Sequence, residues 1–142
     1  MSGGKAKMKS HCPISFSLEI FGDKWTLLIV RDIIFLGKRN YGEFINSDEK
    51  IATNILADRL TILEEAGVIK KSKDPGHKSK FIYSITKKGI DLLPVLIEII
   101  KWGATYDKDT AAPKDFVKRI KKDKEKLIKE ISDGLKKNQH LF

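Results

Sequence analysis

The spacing of apolar residues changes twice along this chain, and where it changes limits the folds open to it. From Pro13 to Ala66 apolar residues recur at helical spacing. From Val68 to Thr86 the spacing becomes that of strands, and from Lys87 onward it is helical again. Val68–Lys73 (VIKKSK) and Phe81–Thr86 (FIYSIT) read as two strands, the second rich in β-branched and aromatic residues. Asp74-Pro75-Gly76 between them is a strong turn signal, so the pair is a β-hairpin with a charged tip. The fold class is mainly α with a small hairpin.

The helical segments come in a set order. Ile14, Leu18 and Phe21 recur behind Pro13, and proline suits a first helical position because it has no N–H to leave unpaired. Gly22 and Asp23 break this helix. A second is predicted from about Lys24 to Leu36, burying Trp25, Leu28, Ile29 and Ile33 and stopped by Gly37. A short third runs from Tyr41 to about Ser47. A fourth spans about Thr53 to Ala66, with Ile55, Leu56, Leu60 and Leu63 on its apolar face and Thr53 as its expected N-cap.

Beyond the hairpin one helix is expected from about Lys87 to Tyr106, kinked near its start by Pro94. Ile90, Leu93, Ile97, Ile100 and Ala104 form one stripe on it, while Leu92, Leu96 and Ile99 lie elsewhere. A helix apolar on more than one side calls for two partners, its own core and a second subunit. Ala111-Ala112-Pro113 reads as a hinge before a last helix, about Lys114 to Lys136. Phe116, Ile120, Leu127, Ile131 and Leu135 share one face of it and lysines dominate the rest. The expected organisation is a flexible N-terminus over residues 1–11, one domain over 12–110, and a basic helix over 111–142 that packs on a dimer.

Charge narrows the partner. Among 142 residues 28 are basic and 19 acidic, giving a net charge of +9 and an isoelectric point near 9.6. Such a balance suits a polyanion, either nucleic acid or an anionic membrane surface. Cys12 is the single cysteine, so no intrachain disulfide can form, which fits a reducing compartment. Met1–Lys9 is polar, with no apolar stretch behind it to serve as a secretory leader. The most apolar segment, Leu92–Ile100, is interrupted by Pro94 and Glu98 and falls short of the roughly 20 residues a spanning helix needs. A cytoplasmic protein without a membrane partner is expected.

Helices, hairpin and further helix in this order make a winged helix-turn-helix. One helix supports the next in a major groove while the hairpin lies along neighbouring phosphates. The hairpin carries Lys70, Lys71, Lys73, Lys78 and Lys80, with His77 at its tip and only Asp74 opposing. Phosphate contacts supply most of a DNA binder's affinity, so a wing needs such a load. The competing reading is a solvated lysine-rich hairpin with no ligand.

On the fourth helix the non-core positions are Ala52, Thr53, Asn54, Ala57, Asp58, Arg59 and Thr61. Small residues such as Ala57 let a helix sit close to base edges. Thr53 and Asn54 can donate to bases or phosphates, and Arg59 can reach a phosphate or a guanine. Asp58 can accept from a cytosine amino group, repel phosphate, or pair with a lysine. For Asp58 and Thr61 an ordinary exposed helix residue is the competing reading. The expected DNA-binding set is Thr53, Asn54, Ala57, Asp58, Arg59, Lys73, His77, Lys78 and Lys80. A two-fold dimer would place two such helices in successive major grooves of a pseudo-palindromic site.

Several motifs carry a family resemblance: Cys12-Pro13, Gly22-Asp23-Lys24-Trp25, Asn40-Tyr41-Gly42-Glu43-Phe44, and Arg59-Leu60 with Leu63-Glu64 and Gly67. Tyr83-Ser84-Ile85-Thr86 with Gly89, Leu93-Pro94-Val95 and Trp102-Gly103 belong to the same set. In combination, over roughly Cys12 to Tyr106, the chain resembles the HxlR-type winged-helix regulators. The resemblance implies a dimeric bacterial or archaeal DNA-binding regulator. Its first and post-wing helices would form the dimer, here through Ile14, Leu18, Leu96, Ile100 and Trp102. The chain departs from the pattern at Ala52, where a serine or threonine commonly caps the recognition helix, and at the wing tip Asp74–Lys80. The lysine-rich helix beyond Pro113 lies outside it.

Cys12 sits before Pro13 at a helix N-terminus, flanked by His11 with Lys9 nearby, a setting that makes a thiol reactive. The resemblance implies an oxidant- or electrophile-sensing role for it; the competing reading is a small buried hydrophobe at a helix start. No enzyme is expected. His11, His77 and His140 offer no base with an orienting partner, and no metal-ligand cluster, glycine-rich phosphate loop or nucleophile motif is present, so neither metal nor cofactor is predicted. The remaining class is a protein-interaction or membrane-surface module built on the amphipathic last helix.

Overall fold

The first three helices begin where a side chain or a proline supplies what the early N–H groups lack. The computed structural model describes residues 10–139, so the expected flexible stretch 1–11 lies almost wholly outside the described residues, as does His140. Helix α1 (Pro13–Phe21) starts on its proline. Helix α2 (Thr26–Leu36) starts on Asp23, whose Oδ1 accepts from the Trp25 and Thr26 amides at 2.7 and 2.8 Å while Oδ2 accepts from the Thr26 hydroxyl at 2.6 Å. It ends at Gly37, at φ 66°, the left-handed conformation that glycine adopts without penalty. Trp25 precedes α2, and it and Leu28 are half-buried rather than buried. Helix α3 (Tyr41–Ile45) opens on a capping box: Asn40 Oδ1 accepts from the Glu43 amide, and Glu43 Oε1 accepts from the Asn40 amide.

Helix α4 (Thr53–Glu65) is the exception. Its N-cap is Ala52, in extended conformation and with no side-chain cap, and Thr53 is already the first helical residue. The expected Thr53 cap is therefore corrected. A threonine inside the first turn has helical φ/ψ and cannot fold its hydroxyl back as a cap does. The first N–H groups of α4 have no side-chain acceptor.

Strand β1 (Ile69–Asp74) pairs antiparallel with β2 (His77–Ile85). Partners run from Ile69 opposite Ile85 to Lys73 opposite Phe81, and then the register jumps to Asp74 opposite His77. Residues 78–80 therefore bulge from the wing, which starts its second strand earlier than the apolar run at Phe81 suggests. Ile69, Tyr83 and Ile85 are buried. Tyr83 packs edge-on to Phe44 of α3, with ring centroids 6.1 Å apart.

The single helix expected after the wing is two. Helix α5 (Lys87–Ile90) is capped by the Thr86 hydroxyl, and α6 (Leu93–Tyr106) begins afresh after Asp91-Leu92. Pro94 has no N–H to offer inside a continuous helix; restarting at Leu93 places it in a first turn, where none is needed. Gly89 of α5 packs so closely under the hairpin that a Cβ there would lie 2.3 Å from the Val68 carbonyl oxygen.

Helix α7 (Lys114–Gln139) is interrupted at Asp123 (φ −152°, ψ 72°). Asp123 Oδ1 accepts from the Lys126 amide at 3.2 Å and so caps the second half. The turn is a real change of direction. Arg119 and Glu130 form an ion pair at 2.9 Å, whereas residues that far apart in a straight helix are separated by about 16 Å. Ile120 before the bend and Leu127 after it are 2% and 3% exposed. The helix packs on α6 and also meets α5 and β2, and Lys124 pairs with Glu98 of α6. Its apolar face thus completes its own chain's core, where docking on a dimer mate was expected. Phe116, Ile120, Leu127, Ile128, Ile131 and Leu135 share that core with the helix-turn-helix.

Candidate nucleic-acid interface

The position of α4 is set by an ion-pair network on α2. Arg31 donates two hydrogen bonds to Glu49 at 2.7 and 2.9 Å and two to Asp32 at 2.9 and 2.6 Å, and Lys38 Nζ lies 3.4 Å from Asp32. Glu49 belongs to the loop between α3 and α4, so this fork ties that loop to α2. The Arg31 hydrogen bonds outweigh the cost of partial burial and hold the Glu49 carboxyl at about 2, while Glu49 in turn raises the pKa of Arg31. Lys50, next in the loop, has φ 59°. A second brace comes from α3, where the Tyr41 hydroxyl donates to the Thr53 carbonyl at 2.8 Å. None of these braces was singled out from sequence.

On α4, Leu56, Leu60 and Leu63 are buried, and Thr53, Asn54, Ala57, Asp58 and Thr61 are exposed together. The Thr61 hydroxyl is turned back to the Ala57 carbonyl at 3.1 Å. Arg59 behaves differently from its neighbours. It is partly buried, with Nε 3.4 Å from Asp23 Oδ1 and Nη1 3.3 Å from Asp58 Oδ2. The Nε contact is an ion pair without hydrogen-bond geometry. In this position Arg59 joins α4 to the α2 cap rather than extending toward a base. Partial burial works against ionisation of Asp23, but the hydrogen bonds from Thr26 and Trp25 and the charge of Arg59 hold its carboxyl below its ordinary range. Asp58 finds Arg59, not a lysine.

The wing residues Lys70, Lys71, Lys73, His77, Lys78 and Lys80 are all exposed. The tip is ordered by its own side chains: Asp74 Oδ1 accepts from the Gly76 amide at 2.9 Å, and Ser79 Oγ lies 3.3 Å from His77 Nδ1. Lys71 Nζ sits 4.2 Å over the Phe81 ring. The hairpin base is fixed by the Tyr83 amide donating to the Arg39 carbonyl at 2.7 Å. A concavity of about 410 Å³ joins the wing to α3, lined by Asn40, Tyr41 and Gly42 on one side and Ser79, Lys80 and Phe81 on the other. Because Tyr41 also touches Thr53, the uncapped start of α4 and the wing bulge belong to one continuous surface.

The other predicted residues divide. Ile14 and Trp102 are each 70% exposed, and Leu18 is more than half exposed. Leu96 is 5% exposed and lies in the chain's own core, and Ile100 is half-buried against that core. The intrachain burial of Leu96 takes it off any open dimer face. Cys12 is the N-cap position of α1 and is exposed, so it is not a buried hydrophobe in this chain. Among the described residues no group of His, Cys, Asp and Glu could hold a metal ion, and no helix is long and apolar enough to cross a membrane.

The chain is similar to known regulators. A family model for the HxlR-like helix-turn-helix matches residues 20–111. The HTH-type transcriptional regulator sll1512 of Synechocystis is 32% identical over 95 residues, covering 67% of this chain and 70% of the relative. Among solved structures, the redox regulator HypR in its oxidised form is 28% identical with a TM-score of 0.60, over 68% of this chain and 98% of that one. The reduced transcriptional regulator YodB of B. subtilis is 25% identical with a TM-score of 0.57, over 71% and 99%. The chain belongs to the HxlR-like helix-turn-helix family and is a transcriptional regulator of the helix-turn-helix type.

Proposed function

We propose that this regulator binds double-stranded DNA as a homodimer and recognises a pseudo-palindromic operator without catalysing a reaction. The observation that carries the reading is the continuous surface running from the uncapped N-terminus of α4 across Tyr41 to the lysine-bearing wing. Uncapped helix N–H groups and the positive end of the helix dipole favour a phosphate. Thr53, Asn54 and Ala57 face the groove, and Lys73, His77, Lys78 and Lys80 follow the flanking backbone. Asp58 and Arg59 contribute through their mutual pair, Arg59 by fixing the helix rather than by reading a base.

The dimer reading rests on apolar side chains left open by the chain's own packing. Ile14, Phe16 and Leu18 on α1 and Ile99, Trp102 and Tyr106 on α6 are exposed, and large apolar side chains left open in this way suit a protein interface. The exposed Cys12 stands at the start of α1, where oxidation or alkylation would alter how that helix meets a second copy.

The test is a titration of the protein into a fluorescent duplex from upstream of its own gene and into a scrambled duplex. Both are run over a salt series, with and without a mild oxidant. Tight binding to the first and weaker, steeply salt-dependent binding to the second is the expected result. An oxidant effect present in wild type and absent in Cys12→Ser supports sensing. Absence of binding to either duplex at low salt would overturn the DNA reading.

A further inference from the structure

Where α7 returns to the helix-turn-helix it leaves a cleft of about 570 Å³, within the size range of small-molecule sites. Its floor is apolar: Phe35 and Leu36 at the end of α2, Ile100 of α6, and Ala112, Pro113 and Phe116 from the start of α7 and the linker before it. Phe116 meets Phe35 edge to face at 6.0 Å, so the back wall is aromatic. Leu36 is more than half exposed there, an apolar side chain its own fold does not cover. Ala112, Pro113 and Phe116 lie beyond the matched residues 20–111, so part of this cleft is built from residues outside the family match.

The rim is polar and its charges are unevenly satisfied. Arg31 is held by Glu49 and Asp32, and Lys38 is paired with Asp32. Asp48 is exposed on the same rim, and among the described residues it has no hydrogen-bond or ion-pair partner. Of the charged residues lining the cleft, Arg31, Lys38 and Glu49 are thus paired, and among the described residues the Asp48 carboxylate is left over. An apolar aromatic floor below one unmatched carboxylate selects an occupant with a flat hydrocarbon body and a cationic donor head.

We infer that this cleft is a binding site for a small aromatic amine, its ring against Phe35, Leu36 and Phe116 and its ammonium at Asp48. Such a ligand lies against the Arg31–Glu49 fork that fixes the loop leading into α4, so occupancy bears directly on the proposed reading helix. That regulatory consequence rests on the DNA-binding reading; the binding itself does not.

The probe is 1-naphthylmethylamine, titrated into the full chain without DNA and followed by naphthalene fluorescence anisotropy, beside neutral 1-naphthalenemethanol and anionic 1-naphthoate. Saturable binding is expected, with the amine at least about fivefold tighter than the alcohol and the naphthoate weakest. Leu36→Arg changes a largely exposed residue and keeps the wild-type circular dichroism; it should weaken the amine at least tenfold. Asp48→Asn should bring amine and alcohol to equal affinity while leaving the alcohol unchanged. The inference is overturned by no saturable binding of the amine, by equal binding to wild type and Leu36→Arg, or by a naphthoate that binds as tightly as the amine. Loss of duplex binding in the separate DNA titration would sink the regulatory reading alone and leave this site standing.

Discussion

The two ends of the described chain invert the simple expectation that apolar helices are buried and charged helices exposed. Helix α1 (PISFSLEIF) has six apolar residues among its nine, yet none of its residues is buried. Helix α7 is dominated by lysine, yet Ile120 and Leu127 are among the most buried side chains of the molecule. Sorting of residues around the axis makes the difference. In α7 the apolar residues recur on one side and meet α6, α5 and β2. In α1 the apolar residues spread over more than half of a nine-residue cylinder that touches its own chain mainly through α2. The apolar surface of α1 is spent elsewhere, on the second copy in the proposed dimer. Helix α7 is part of the fold, and α1 is the surface that the proposed dimer would use.

The largest effect should come from breaking α7's side of this contrast. Leu127→Ala removes a buried side chain that bridges the bent helix and the core, and should cost about 2–4 kcal/mol of stability in denaturant unfolding. A loss below about 1 kcal/mol, the range of exposed sites, would mean that α7 only rests on the core. The matching change on α1, Leu18→Lys, should do the reverse. It should leave the unfolding of the diluted monomer unchanged and raise the dimer dissociation constant at least about tenfold, or ~1.4 kcal/mol, measured by sedimentation across concentration. A dimer of unchanged affinity would remove α1 from the interface; a monomer that unfolds would place α1 in the core.

Charges can be compared in the same way. The Arg31–Glu49 fork is partly shielded and holds two segments together, whereas the lysines of α7 mostly face water. The Glu49 carboxyl is held at about 2 against an ordinary 4.5. Its contribution to stability is therefore complete above pH 4.5 and is lost as pH falls from there toward 2. Glu49→Gln should cost roughly 1 kcal/mol at neutral pH, after allowance for solvent screening. The gap from wild type should close through that acid window. A gap that persists at pH 2 would assign the loss to packing of the loop rather than to the ion pair.

Much of this was legible from the amino-acid order. The switch of period at Gly67 and Lys87 marks the wing, Gly37 and Pro13 mark helix ends, and Leu56, Leu60 and Leu63 announce the inner face of α4. The misses depended on polar pairings, packing and register that periodicity does not encode. Asp123 is one of many charged residues in a lysine-rich run, and only its hydrogen bond to the Lys126 amide turns it into a cap. Arg59 looks like a reading arm on a helical wheel until Asp23, far away in sequence, is brought beside it. Leu96 looks like a second apolar face because one helix cannot report that α7 covers another side of it. For the site, the lysines of the wing were visible by composition, but their bulge at residues 78–80 arises from strand register, which a turn motif alone does not set.

The smallest effect gives the sharpest form of the contrast. Lys129 and Asp133 lie one turn apart on α7 and form an ion pair at 2.8 Å, with side chains 77% and 50% exposed. The pair raises the Lys129 pKa and lowers that of Asp133, chiefly through their mutual hydrogen bond. Water and salt reach both groups freely, and ordering two long side chains offsets what their attraction returns. Lys129→Ala should therefore leave the denaturation midpoint unchanged within error at physiological salt, while Leu127→Ala, two residues away on the same helix, collapses it. Should the two substitutions prove comparably damaging, the lysine face of α7 would be part of what holds the fold, and the sorting of residues around the helix would no longer explain why this charged helix is buried and the apolar α1 is not.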